Sequence, residues 1–314
     1  MNTETTHKTK EYNGVKLICK NGLWGIQDIL SNKKLTECIF SEISNFENGY
    51  AYVKKDNLIG IINHAGELVI PCNYIRLIDL GNTYYIAENI YKGYGLLSIS
   101  GKVILPFHYS DIHILGSQHL CLSTSNKKAL ASICGEIFTE LKYHDIKDIK
   151  SPSYFIVNKY NLNGEYKFGI ISSLGQEIIP CVYNEINLVF HDSVFLVKKV
   201  IHSYFSDDNK YETYGIYDHM GNEIIRCEYD KIVLDDYLVI VTKGGRFGVI
   251  KYTGETIIPM QKHPVYKLDE TYYAIGCFVI DKDGVFYIIK KKDGKMFHTY
   301  DLKDYFKNWI LSLL

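Results

Sequence analysis

The chain has 314 residues, 46% of them apolar, enough to bury a core as one large domain or two ordinary ones. Its 35 basic and 36 acidic residues are spread evenly and give a net charge of −1, without the basic stripe of a nucleic-acid binder. No run reaches the ~18 apolar residues of a membrane span, and no apolar leader follows the N-terminus, so neither a membrane nor a secretory route is expected.

Residues 1–13 are polar and read as a disordered lead. From residue 14 to about 300 the chain repeats itself, with a period near 35 and about eight copies. The anchor is an aromatic or large apolar residue followed by glycine: Trp24-Gly25, Ile59-Gly60, Tyr94-Gly95, Phe168-Gly169, Tyr214-Gly215 and Phe247-Gly248. Two copies have lost the glycine, at Lys128-Ala129 and Tyr287-Ile288. Six residues on comes a second glycine (Gly66, Gly101, Gly135, Gly175, Gly221, Gly254), and eleven on a proline (Pro71, Pro106, Pro180, Pro259). Fourteen on stands Tyr74, Tyr109, Tyr143, Tyr183 or Tyr229.

Each copy reads as a four-stranded meander. In the second, strand a is Tyr50–Lys54, b is Leu58–Asn63, c is Glu67–Ile70 and d is Tyr74–Leu80. The second glycine falls in the b–c turn, where positive φ is needed. Proline should end strand c, since it cannot donate to a ladder. The anchor glycine lies inside strand b, so another group should press on the backbone there, and the repeated tyrosine is the candidate.

Residues 158–167 and 199–213 enlarge the a–b turn in the fifth and sixth copies. Equivalent turns of stacked repeats share one face, often the binding face. Tyr160, Tyr204, Phe205, Asp207, Asp208 and Tyr211 are therefore the candidate binding residues. Asp207-Asp208-Asn209 lacks the ligand spacing of a calcium loop. Toward the C-terminus, Leu302, Tyr305, Phe306, Trp309, Ile310 and Leu313 follow helical spacing, so 301–314 is expected to be an amphipathic helix capping the array.

Of the eight cysteines, Cys72, Cys181 and Cys227 occupy one repeat position, twelve after the anchor, where other copies carry Phe107 and Leu141. Cys38 fits the same place after a one-residue shift. That pattern points to buried apolar thiols rather than disulfides or zinc, and with them to a reducing cytoplasm. Gly95–Lys102 has five residues between its glycines where a phosphate loop needs four, and His108, His113 and His119 are too loosely spaced to suggest a metal centre. No catalytic residue, cofactor or metal is expected.

The repeat, with Trp24-Gly25 and its Gly, Pro and Tyr positions, resembles the WG-repeat family of bacterial proteins over residues 14 to about 300. The resemblance implies a β-rich, propeller-like fold and carries no catalytic residues. The expected fold is all-β: about eight short antiparallel meanders, propeller-like, with an open solenoid of β-hairpins as the alternative, plus the C-terminal helix. The expected function is a non-enzymatic module that recognises a protein or peptide partner through loops on one face. The alternative is a hydrolase-like or carbohydrate-binding protein with its site in a central channel.

Overall fold

The structure is a computed structural model that describes residues 9–12, 14–81, 83–189, 194–202, 210–235, 238–262, 265–267, 272–275, 287–290 and 296–298. The helix expected at 301–314 lies outside them. Among the described residues there is no helix, and the strands form eight small antiparallel sheets in tandem. The chain divides into two compact units, 1–153 with 173–176, and 154–172 with 177–314.

In the first unit, β1 (Thr9–Tyr12), β2 (Val15–Lys20) and β3 (Leu23–Asp28) form the first sheet. The second is β4 (Glu42–Ile43), β5 (Tyr50–Lys55), β6 (Leu58–Asn63) and β7 (Leu68–Tyr74). The third is β8 (Arg76–Asp79), β9 (Tyr84–Asn89), β10 (Gly93–Ser98) and β11 (Val103–Tyr109). The fourth is β12 (Asp111–Leu115), β13 (His119–Ser123) and β14 (Lys128–Ser132), and β15 (Asp145–Asp148) follows.

The second unit opens on β16 (Tyr154–Tyr160), β17 (Tyr166–Ser172) and β18 (Glu177–Tyr183). Next come β19 (Glu185–Val189), β20 (Val194–His202), β21 (Lys210–Asp218) and β22 (Glu223–Tyr229). Then β23 (Lys231–Leu234), β24 (Leu238–Lys243), β25 (Arg246–Lys251) and β26 (Thr256–Gln261). The last sheet is β27 (Val265–Lys267), β28 (Tyr272–Ile275), β29 (Tyr287–Lys290) and β30 (Met296–His298).

Three local expectations are corrected. Thr9–Tyr12, placed in a disordered lead, pairs with β2 from Thr9 opposite Ile18 to Tyr12 opposite Val15. The segment taken as strand d of one meander opens the next sheet instead: β8 pairs with β9, not with β7. Proline does not end strand c. Pro71 lies within β7, which is tolerated because β7 is the sheet's outer strand and is bulged there.

That bulge also explains the anchor glycine. Ile59 faces Tyr74 and Ile61 faces Ile70, so Pro71, Cys72 and Asn73 crowd opposite Gly60 alone. A Cβ on Gly60 would sit 2.6 Å from the Ile70 carbonyl oxygen and 2.9 Å from Cys72 Sγ. The group pressing on the glycine is thus the bulged strand and its cysteine, not the repeated tyrosine. The tyrosine packs between sheets: Tyr74 stacks on Phe107 of the next sheet at 5.6 Å.

In the second sheet, strand b is buried on both faces because a neighbouring sheet covers each. Ile62 packs with Val15, Leu17, Ile26 and Val53, toward the first sheet, whereas Ile61 packs with Tyr85, Ala87 and Leu97 of the third. In the second unit, β24 likewise sends Val239 and Val241 toward Ile216 and Ile225, and Ile240 to a cluster with Val265. A strand with both faces covered reads as a continuous apolar run, as Leu-Ile-Gly-Ile-Ile does here.

Two copies do not form strand c, and both carry a threonine where five of the others have Ile70, Leu105, Ile179, Ile225 or Ile258. Thr139 Oγ1 accepts the Leu130 N–H at 2.9 Å, and Thr36 Oγ1 accepts that of Ile26 at 2.9 Å. Elsewhere the residue after the anchor pairs with a third strand, as Ile61 does with Ile70. A local hydroxyl competes with that backbone pairing and turns the chain aside. Only the flanking bridges Lys128–Tyr143 and Ala131–Ile137 survive in the fourth sheet. With the strand deflected, the anchor position tolerates Ala129. Thr139→Val should therefore strip the Leu130 N–H of its acceptor, cost about 1–3 kcal/mol and speed amide exchange at Leu130. Unchanged unfolding and exchange would show that the hydroxyl is dispensable.

Candidate functional site

The enlarged a–b turns lengthen the strands of both hairpins, and in the fifth sheet the loop between them, 161–165, as well. The equivalent hairpin of the second sheet has six residues per strand. The fifth sheet's has seven, pairing through Tyr160 and Tyr166, and the sixth sheet's has nine, pairing through His202 and Lys210. Alternating side chains keep the extension in register: Lys198 opposite Tyr214, Val200 opposite Glu212, Ile201 opposite Tyr211.

Of the six residues expected to bind, Tyr160 and Tyr211 are described, while Tyr204, Phe205, Asp207 and Asp208 lie outside the described residues. Tyr160 and Tyr211 are both more than half exposed. Tyr160 stacks on Tyr166 with ring centroids 4.3 Å apart and donates its hydroxyl to Tyr166 Oη at 2.5 Å. The turn beyond them is organised by Asn161, whose Oδ1 accepts the N–H of Asn163 and of Glu165, each at 2.9 Å. Leu162 at its tip is fully exposed.

The two hairpins are joined. His202 Nε2 lies 3.6 Å from Glu165 Oε1, and Asn184 Oδ1 accepts from both Lys167 Nζ at 3.1 Å and the Val200 N–H at 2.9 Å. Lys198 lies between Glu185 at 2.6 Å and Glu212 at 3.4 Å. Hydrogen bonds from Lys167 and Asn161 hold the Glu165 carboxyl below the usual range. Tyr214 and then Lys198 do the same for Glu212. These carboxylates are ionised and matched by lysines, so the surface has no strong sign of charge. Its distinguishing feature is exposed aromatic and aliphatic area: Tyr160, Leu162, Tyr166, Ile201 and Tyr211. Tyr166 and Ile201, which lie in the same two insertions, were not among the residues expected to bind.

A second concavity, in the first unit, was not foreseen. It has a volume of about 460 Å³ and lies between the second and third sheets, with Tyr50, Tyr52, Tyr85, Glu47, Asp79 and Thr83 among its lining. Tyr52 and Tyr85 meet edge to face at 6.4 Å. Burial first, and then the Asp79 charge, push the hydroxyls of both tyrosines up. In the sequence these residues are dispersed over separate strands and turns, and no spacing rule links them.

The histidines singled out earlier do not converge: His113 Nδ1 contacts Asp111 at 2.8 Å, and His119 Nε2 contacts the Ser173 carbonyl at 3.0 Å. Cys19, Cys38, Cys72, Cys121, Cys134, Cys181 and Cys227 are all free. Burial pushes the Cys121 thiol up to about 11, which keeps it protonated and inert as a nucleophile.

The model of the WG containing repeat family matches residues 24–58, 168–199 and 214–245. Each matched segment begins at the anchor in strand b and runs into the first strands of the next sheet, the second and third by way of strand c. The sequence repeat and the sheet are thus offset, and each repeat stitches two sheets together. No curated protein matches the sequence. Among solved structures, the chain is similar to a eukaryotic initiation factor, at 10% identity and TM-score 0.33, over 93% of this chain and 88% of that one. It is also similar to Hsv2p of Kluyveromyces lactis, at 9% identity and TM-score 0.26, over 89% and 91% of the two chains. A third is PorZ of the Porphyromonas gingivalis type-IX secretion system, at 7% identity and TM-score 0.25, over 93% and 46%.

Proposed function

We propose that the protein is a non-enzymatic binding module that recognises a protein or peptide partner through the elongated hairpins β16–β17 and β20–β21. The observation that carries this reading is the apolar and aromatic area that these two hairpins expose side by side. Tyr160, Tyr166, Ile201 and Tyr211 are all at least two-fifths exposed, on a rigid, hydrogen-bonded support. Tyrosines with few rotatable bonds, held by strand pairing, present contact area at low entropic cost and are enriched at interfaces. The matched lysines and carboxylates around them form a polar rim. The free thiols support a reducing, cytoplasmic setting, and no helix among the described residues is long and apolar enough to cross a membrane.

The test uses the intact chain and a Tyr160→Ser, Tyr166→Ser, Tyr211→Ser triple variant as baits in the same native lysate. Exposed substitutions of this kind should each change stability by no more than about 0.5 kcal/mol, so both baits should melt alike. A stoichiometric protein held by the intact chain and lost from the variant is the expected result. A partner held equally by both would move the interface elsewhere, and capture by neither would remove the binding-module reading.

A further inference from the structure

We infer that the cleft between the second and third sheets binds an organic cation: an alkylammonium or guanidinium group on a short apolar stem. The cleft's volume of about 460 Å³ lies within the ~300–1,000 Å³ range typical of small-ligand sites. Tyr50, Tyr52 and Tyr85 supply aromatic rings, Glu47 and Asp79 supply carboxylates, and among the described residues no lysine or arginine lines it. A ring face attracts a cation through its quadrupole, and a carboxylate completes the recognition of an ammonium or guanidinium head. An anion would meet two like charges there. Among the described residues no group of three or more His, Cys, Asp or Glu side chains converges to hold a metal ion there.

The site is built before any ligand arrives. Asp79 Oδ1 accepts the Gly81 N–H at 2.7 Å, and the Asp79 carboxylate also accepts the Tyr85 hydroxyl. The Tyr52 ring is fixed edge-on to Tyr85 with an interplanar angle of 79°. Thr83 holds the opposite rim at φ +64°, a left-handed conformation that costs a β-branched residue about 1–3 kcal/mol. It is kept there in part by the Ile99 N–H, which donates to the Thr83 carbonyl at 2.6 Å. The neighbouring charges that act on Tyr52 and Tyr85, from Asp79 and Glu47, are all negative, so the walls carry a field that favours a cation.

Calorimetry on the full chain with n-butylammonium and n-butylguanidinium chloride, beside 1-butanol and methyl β-glucoside, tests the assignment. Saturable binding of the cations is expected, with 1-butanol and the glucoside silent. Asp79→Asn and Glu47→Gln should each weaken it about tenfold or more. Asp79 also orders its own turn, so Glu47→Gln serves as the variant that alters charge without touching that turn. Thermal melts should confirm that both are folded. No saturable cation binding, binding unchanged in folded Glu47→Gln, or equal binding of the glucoside would overturn the proposal. N-acetyl-lysine amide and putrescine, compared in the same cell, separate a peptide side chain from a free amine as the source of the cation; stronger binding by either supports the cation site and names its source.

Discussion

Gly221→Ala is expected to destabilise the second unit by about 2–5 kcal/mol. Gly221 sits in the b–c turn at φ +86°, and a Cβ there would lie 2.4 Å from the carbonyl oxygen of Ile178 in the preceding sheet. Two costs add. An L-residue held left-handed loses about 1–2 kcal/mol, and forcing a carbon against a backbone oxygen that cannot rotate away is overpacking, typically about 1–3 kcal/mol. The same contact recurs along the chain: Gly101 against Val69, Gly175 against Phe138, Gly254 against Ile224. At Gly101, Gly221 and Gly254 the b–c turn glycine is therefore also the point at which one sheet seats on the one before it. Gly244→Ala isolates the first cost, because φ is +55° there and nothing lies within 4 Å; it should lose only about 1–2 kcal/mol. Urea unfolding of the two variants decides the matter. Equal losses would mean that the turn requires only its backbone conformation and that the seating contact is unimportant.

The second large effect is expected at Gly169, where the usual sign reverses. Glycine within a strand normally costs roughly 0.5–1 kcal/mol relative to alanine, so a Gly→Ala change with room for the methyl group should stabilise. Here a Cβ would meet the Ile179 carbonyl oxygen at 2.5 Å, the Cys181 nitrogen at 2.8 Å and Cys181 Sγ at 2.9 Å. Gly169→Ala should thus destabilise by about 1–3 kcal/mol by pushing the bulged β18 away from β17. Adding Cys181→Ala should recover part of the loss, since it removes the thiol but not the two backbone atoms. A stabilised or neutral Gly169→Ala protein would sink this account of the anchor glycine.

Much of the fold was legible in the sequence because its determinants are local and repeated. Hairpins follow from turn residues at fixed spacing, and six turn glycines do adopt positive φ, between +76° and +86°. The binding residues were only partly legible. Tyr160 and Tyr211 stood out as aromatics in insertions, whereas Tyr166 and Ile201, exposed on the paired strands of the same hairpins, did not. The tyrosine cleft left no trace at all, since Glu47, Asp79 and Tyr85 meet only when two sheets stack. The threonine signal was present but unread: Thr36 and Thr139 mark the copies without a third strand, and only the hydrogen bonds show why.

By itself, then, the amino-acid sequence determined the period, the order of strands within each meander and the side chains that must be small. Those properties depend on backbone conformation and on neighbours a few residues away. Only the tertiary structure decided which sheet a strand joins, what crowds the anchor glycine and where the concave surfaces lie. The reason is that strand d can pair with either the meander it follows or the one it precedes, and local propensity is the same for both. Burial of Ile61 on one face and Ile62 on the other selects the second arrangement, because it covers the second sheet with its neighbours on both sides.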